Sequence, residues 1–358
     1  MDKNGFMGKG QVLIAIFCLL ALFSSPQESL AAPKTWQARL APQVQRLDAS
    51  HPAEVGLYVK DLSTGESFSY RGEEEWYIAS GVKVPVALEV FHQVEEGLLN
   101  LDDKVELHAS DRMDSAGPTN AYPAGARLSV RYLLDQMLIY SDNTASDLLI
   151  RAVGLKNVNT FLKSQVAGFS EITTLADVRR NAYGKINPRA FRLKNPDFIR
   201  LKRVADQKKR VALLGRMMGI TPAEMRVSTL DDAYNAYYAT SLNSASLKAY
   251  ALLLGRVVEG EVLGEESTAQ LLEIMKRVET GKGRLRAGLP KSMVFAHKTG
   301  TQFARFCDFG VAWDSAAGEN PKRVVIAACT RGIHAEKLAE AALKGLGKAV
   351  ADSGVFKP

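Results

Sequence analysis

Cysteine is scarce in this chain, with three residues in 358. Cys18 lies in an apolar stretch near the start, so only Cys307 and Cys329 belong to the body of the protein. Two cysteines exclude a disulfide-framework fold and any cysteine-built metal site. Histidine is nearly as rare. None of His51, His92, His108, His297 or His334 stands in a Gly-x-Ser-x-Gly or His-Glu-x-x-His context, which argues against a histidine-dependent triad or a zinc hydrolase. No His/Cys/Asp cluster has ligand spacing, so neither a metal nor another cofactor is expected. Long hydrophobic runs are missing beyond Val12–Phe23, and those 12 residues are too few to span a bilayer. Internal repeats and low-complexity segments are absent as well.

The one apolar run has its own explanation. Lys3 and Lys9 precede it, and a polar segment follows that ends in small residues near Ala31 and Ala32. A basic start, a short hydrophobic centre and a small-residue exit describe a secretory signal peptide over residues 1–32. The mature body, residues 33–358, is expected to be exported, to a periplasm, with no membrane span left after cleavage. Its oligomeric state is open.

The full chain of 358 residues is 46% hydrophobic and 24% charged, ample for a large core. The net charge of +7 is unevenly spread: between Arg179 and Arg216 thirteen Lys/Arg residues face two Asp. Nucleic acid is not the expected partner of an exported protein. FIRLKRVADQKKRVALLGRMM instead puts Phe198, Leu201, Val204 or Ala205, and Val211 with Leu214 at roughly helical spacing, which leaves the lysines as a solvated face.

EVGLYVKDLSTGESFSY alternates and turns at Ser63–Thr64–Gly65, the pattern of a β-hairpin. Helical periodicity runs from Ser80 to about Glu96, where Gly97 closes it. RLSVRYLLDQMLIY and SDNTASDLLIRAV give two more helices meeting at Ser141. Residues 169–240 read as irregular, basic and proline-bearing. SASLKAYALLLGRVV, ESTAQLLEIMKRV and AEKLAEAALKGLGKAVA are helical. Met293–Lys298, Phe306–Asp314 and Arg323–Thr330 read as strands. Strands at both ends with helices between predict an α+β fold: one antiparallel sheet built from about 33–75 and 285–358, and a helical lobe over about 76–284 carrying a basic insertion at about 182–238. A pocket is expected at the seam between them. With a turn near Ala317–Gly318, Cys307 and Cys329 face each other across a hairpin, as a disulfide or as two buried thiols.

Three short motifs carry chemistry. Ser80 and Lys83 lie three apart at an apolar helix start, so their hydroxyl and amine share a face. A serine hydroxyl needs a group to take its proton, and desolvation can make a lysine that group. Ser141, Asp142 and Asn143 sit at a helix junction, suited to presenting a hydroxyl and an amide to a cleft. Lys298, Thr299, Gly300 and Thr301 end a strand, where glycine permits close approach and lysine attracts a carboxylate.

Ser-x-x-Lys, Ser-Asp-Asn and Lys-Thr-Gly in that order resemble class A β-lactamases and penicillin-binding proteins. The entry ASGVKVPVAL, YSDNTA and ETGKGRLRAGLP before HKTGT extend the likeness over most of the mature chain. The resemblance implies a five-stranded antiparallel sheet with flanking helices beside an all-helical lobe. It implies Ser80 as acylated nucleophile, Lys83 as its proton acceptor and Ser141 as proton relay to the leaving nitrogen. Asn143 would hold the substrate's amide, and Lys298, Thr299 and Thr301 its carboxylate. The backbone N–H groups of Ser80 and Thr301 would form the oxyanion hole. His297, beside Lys298, reads as a structural histidine. The substrate would be a small-molecule β-lactam or a peptidoglycan peptide.

One motif is missing. The family's deacylating glutamate, in Glu-x-x-Leu-Asn, is replaced by ITTLADVRRNAYGKINPRAF. Aligning on Leu175 puts Arg179 at the glutamate; counting from Ser141 reaches Asp177, a candidate deacylation base one methylene shorter than glutamate, or else a salt-bridge partner of Arg179 or Arg180. Three activities follow from the resemblance: a β-lactamase, a D-Ala-D-Ala peptidase or esterase, and a sensor that stays acylated.

Overall fold

The computed structural model describes residues 35–115, 117–316, 318 and 321–357. The expected leader, with Cys18, lies outside the described residues, among which no helix is long and apolar enough to cross a membrane. In chain order the helices are α1 (Trp36–Ser50), α2 (Lys83–Glu95), α3 (Val130–Ile139), α4 (Asn143–Val153), α5 (Leu155–Gln165), α6 (Leu175–Gly184), α7 (Asn195–Lys202), α8 (Gln207–Met218), α9 (Leu230–Tyr238), α10 (Leu247–Val258), α11 (Glu265–Lys276), α12 (Leu285–Gly288) and α13 (Glu336–Ser353). The strands are β1 (Glu54–Asp61), β2 (Ser67–Tyr70), β3 (Glu75–Tyr77), β4 (Lys104–Glu106), β5 (Arg127–Ser129), β6 (Ser244–Ser246), β7 (Met293–Gln302), β8 (Arg305–Asp314) and β9 (Val324–Arg331).

The main sheet has the order β2-β1-β9-β8-β7 and is antiparallel throughout. It is the α+β architecture expected, with strands from both ends of the chain meeting at β1 and β9. Its first turn is set by Asp61, which accepts from the Ser63 N–H at 2.9 Å and the Ser63 hydroxyl at 2.6 Å. Gly65 supplies the positive φ of 76° that closes the turn. β9 is apolar at six successive positions because both of its faces are covered. Val324, Ile326 and Ala328 pack with Leu40 and Val44 of α1 and Leu343 and Leu346 of α13. Val325, Ala327 and Cys329 face the core of the helical lobe. Cys307 and Cys329 are direct register partners and form a disulfide, one of the two states left open above.

Two elements depart from the reading of the sequence. Helix α1 has no counterpart in it, since Pro42 interrupts the segment; Trp36, Leu40 and Val44 nevertheless recur every fourth residue and bury one stripe. Residues 169–240, expected to be irregular, hold four helices, α6–α9. Their starts are capped locally: Thr174 accepts from the Asp177 N–H, Asp206 from Lys209 and Thr229 from Asp232. The stretch from Phe198 to Met218 is two helices, broken where Asp206 caps α8. Phe198, Leu201, Val211 and Leu214 are buried, whereas Arg200, Arg203, Lys208 and Lys209 are exposed.

Candidate active site

Ser80 lies in a short 3₁₀ turn, Ala79–Val82, that runs into α2. Ala79 adopts a left-handed φ of 48°, a conformation non-glycine residues rarely hold unless their surroundings impose it. The surroundings are rigid. The Tyr250 hydroxyl donates to the Gly81 carbonyl at 2.8 Å, and Phe309 packs so closely that a Cβ on Gly81 would lie 2.8 Å from its ring. Behind Ser80, α2 is buried over nine successive residues, Lys83–Phe91, and forms the axis of the helical lobe. Lys83 therefore starts a helix with no solvent around it.

The Lys83 amine finds three oxygens. It donates to the Ser141 carbonyl at 2.6 Å and to Asn143 Oδ1 at 2.8 Å, and lies 3.1 Å from Ser141 Oγ. Burial pushes its pKa down to about 7, against the pull of Asp142 and Asp147. Asp142, the middle of Ser-Asp-Asn, does not face the cavity. It caps α4 by accepting from Ala145 at 2.9 Å, and also accepts from the Thr119 N–H at 3.1 Å. That anchor holds Ser141 at a φ of 58°, turning its hydroxyl toward both lysines.

Lys298 closes the other side. Its fully buried ammonium donates to Ser141 Oγ and to the Thr299 carbonyl, each at 3.1 Å. Desolvation and the charge of Lys83 lower its pKa well below the lysine range. Gly300 lets β7 approach the serine turn, since a Cβ there would meet the Ile78 carbonyl at 2.4 Å. Arg284, which the sequence did not single out as a site residue, underlies this strand. It donates to the Gly300 carbonyl at 2.9 Å, to the Cys307 carbonyl at 3.0 Å and to Thr301 Oγ1 at 2.7 Å. His297 is buried and bonds Asp308 at 2.7 Å through Nδ1.

Ser80, Ser141, Asn143, Thr299 and Thr301 line one cavity of about 530 Å³. Lys83 and Lys298 stand behind its wall and are joined through Ser141. Three segments far apart in sequence thus converge on one serine. Asp177 is elsewhere. Its carboxylate accepts from Thr174 Oγ1 at 2.8 Å and from Arg180 Nη1 at 2.9 Å, and it does not line the cavity. The α6 wall is made instead of Leu175, Val178, Arg179 and Tyr183. Arg179 makes a buried ion pair with Asp114 at 2.9 Å, and the Asp114 carbonyl accepts from Asn143 Nδ2. Asp147, a further residue the sequence did not flag, anchors that wall by accepting from the Leu175 N–H at 2.7 Å and the Ala176 N–H at 3.0 Å. Among the described residues no group of His, Cys, Asp and Glu is placed to hold a metal ion.

Residues 39–353 match the family described as "Beta-lactamase enzyme family". The chain belongs to that family. Among relatives, it is 28% identical to β-lactamase L2 of Stenotrophomonas maltophilia over 323 residues, covering 89% of this chain and 88% of that protein. It is 25% identical over 319 residues to a Mycobacterium tuberculosis (strain ATCC 25177 / H37Ra) β-lactamase, with 87% of each chain covered. Its fold is similar to that of a point mutant of PBP-A, solved as an acyl-enzyme complex with penicillin G, at a TM-score of 0.65 and 19% identity, over 88% of this chain and 95% of that one. As a member of the β-lactamase family the protein is an enzyme of the serine hydrolase type, with the penicillin-recognising fold.

Proposed function

We propose that the protein is an exported β-lactamase-type hydrolase that is acylated on Ser80 and releases the acyl group slowly. The observation that carries acylation is the buried Lys83 amine. Near pH 7 it is partly neutral, and its two N–H bonds are then taken by the Ser141 carbonyl and Asn143 Oδ1. The lone pair that remains can take the Ser80 proton, directly or relayed through the Ser141 hydroxyl 3.1 Å away.

In this reading Ser80 Oγ attacks the lactam carbonyl as its proton passes to Lys83. The oxyanion is held by the N–H groups of Ser80 and Thr301. Collapse breaks the carbon–nitrogen bond, and the nitrogen takes a proton from the Ser141 hydroxyl, which Lys83 resupplies across their 3.1 Å contact. Asn143 positions the acyl-side amide. Lys298, Thr299 and Thr301, backed by Arg284, receive the substrate carboxylate.

Slow release is supported by what lines the cavity. Of its carboxylates, Asp114 is held by Arg179, and Glu336 is a mostly exposed partner of Arg284 at 3.6 Å. The first is committed to its ion pair and the second is open to solvent, so among the described residues the lining holds no buried, unpaired carboxylate. Export is supported by the leader pattern in residues 1–32 and by the Cys307–Cys329 disulfide, which suits an oxidising compartment.

Intact-protein mass spectrometry after benzylpenicillin is the test. A stoichiometric acyl adduct on Ser80, missing in Ser80→Ala, is expected, with a nitrocefin burst followed by slow turnover. No adduct and no turnover above the variant would remove the reading. Rapid steady turnover would remove its slow half. Release of D-alanine from a pentapeptide without lactam hydrolysis would make the enzyme a peptidase.

A further inference from the structure

The cavity has a second cationic end that the chemistry above leaves unused. It is supplied by the insertion: Lys202, the last residue of α7, and Arg210, in the first turns of α8, both line the cavity that holds Ser80. Lys202 is exposed at the mouth and Arg210 is half-buried. Among the described residues neither has an ion-pair partner, and Arg210 Nε donates to the Val204 carbonyl at 2.8 Å, leaving its two terminal nitrogens uncommitted.

The other charged groups of the lining are already engaged. Asp114 is held by Arg179 at 2.9 Å, Glu336 lies 3.6 Å from Arg284, and His334 bonds Asp231 at 2.6 Å. Lys202 is pushed below the ordinary lysine range, first by desolvation and then by the charges of Arg179 and Arg210, with Asp114 and Glu336 opposing. Like charges gathered at one wall of a cleft raise the local potential and favour an anion.

Ser80 and this corner share one cavity. Lys83 bonds Asn143, Asn143 bonds the Asp114 carbonyl and Asp114 pairs with Arg179, which lines the cavity together with Lys202 and Arg210. The corner is therefore reached from the Asn143 side of Ser80. We propose that Lys202 and Arg210 form a second anion subsite for a carboxylate on the acyl side of the substrate, so that the enzyme prefers dianionic substrates. One carboxylate goes to Lys298 and the other to the insertion. The proposal rests on the acyl-Ser80 reading above.

The test compares α-carboxybenzylpenicillin with benzylpenicillin, which differ by the one acyl-side carboxylate. Second-order constants for acylation of Ser80 are measured for the wild type, Lys202→Gln and the double variant with Arg210→Gln. The dianion-to-monoanion ratio is expected to fall about fivefold to tenfold in the double variant, and to fall with rising salt in the wild type. Lys202→Gln, a change at an exposed side chain, gives an independent reading if the double variant folds poorly. Ratios that do not move while both penicillins still acylate Ser80 would overturn the subsite alone. Failure of both penicillins to acylate would overturn the underlying reading and the subsite with it.

Discussion

At the scale of single residues, the decisive property is the protonation state of Lys83. A solvated lysine is charged up to about pH 10 and is no base at neutral pH. Burial brings Lys83 to about 7. The neutral amine is the competent form, so the acylation rate should rise with pH and reach half its plateau near 7. Single-turnover acylation between pH 5 and 9 checks this; a flat profile would move the base role to another group. Lys83→Arg keeps a cation but cannot deprotonate in this range. It should slow acylation by on the order of 10²–10⁴-fold, the usual contribution of a positioned acid–base group.

Among elements, α6 decides how the acyl-enzyme behaves. Its first turn presents Leu175 and Val178 to the cavity, while its one acidic residue in that turn, Asp177, faces Thr174 and Arg180. The element is held in place by Asp147 beneath its first two N–H groups, a carboxyl that burial raises to about 6. Placing a carboxylate on the cavity side of this fixed wall should supply the missing base. Leu175→Glu is expected to shorten the lifetime of the Ser80 adduct by on the order of 10²-fold, read by the decay of the acyl mass after excess penicillin is removed. An unchanged lifetime would mean the wall does not reach the ester. Ser80, Lys83, Ser141, Asn143 and Lys298–Thr301 were legible because each group of residues is contiguous and its spacing alone puts side chains on one side of a turn. Arg284, Asp147 and the Asp114–Arg179 pair were not, because their roles exist only through partners 16 to 65 residues away. The β1–β2 hairpin was legible from alternation and its turn, and the central strand β9 from a short continuous apolar run. Of helices α6–α9, α7 and α8 showed as the helically spaced stripe from Phe198 to Leu214, whereas α6 and α9 were hidden because they are only 10 and 9 residues long.

For the whole molecule, the question is how the insertion is joined to the sheet that anchors the substrate. The attachment is aromatic and local. Tyr234 stacks on Phe303 with centroids 5.0 Å apart, the Tyr238 hydroxyl donates to the Phe303 carbonyl at 2.8 Å, and Arg305 covers the Tyr238 ring at 4.5 Å. Asp231 bonds His334 just past β9. These contacts fasten α9 to the β7–β8 turn, one edge of the cavity, whereas the sheet has its own core against α1 and α13. Beyond that seam the insertion packs on the helical lobe through Phe198, Leu201, Val211, Leu214 and Tyr237, and a layer of short helices opens at lower free energy than the sheet core. Tyr234→Ala removes a buried ring worth about 3–5 kcal/mol. The loss should therefore fall on the insertion first: amide exchange accelerates across α7–α9 while β1, β8 and β9 keep their protection. Equal acceleration in the sheet strands would show that insertion and sheet unfold as one cooperative unit, and that the basic wall of the cavity cannot move without the strand that carries Lys298.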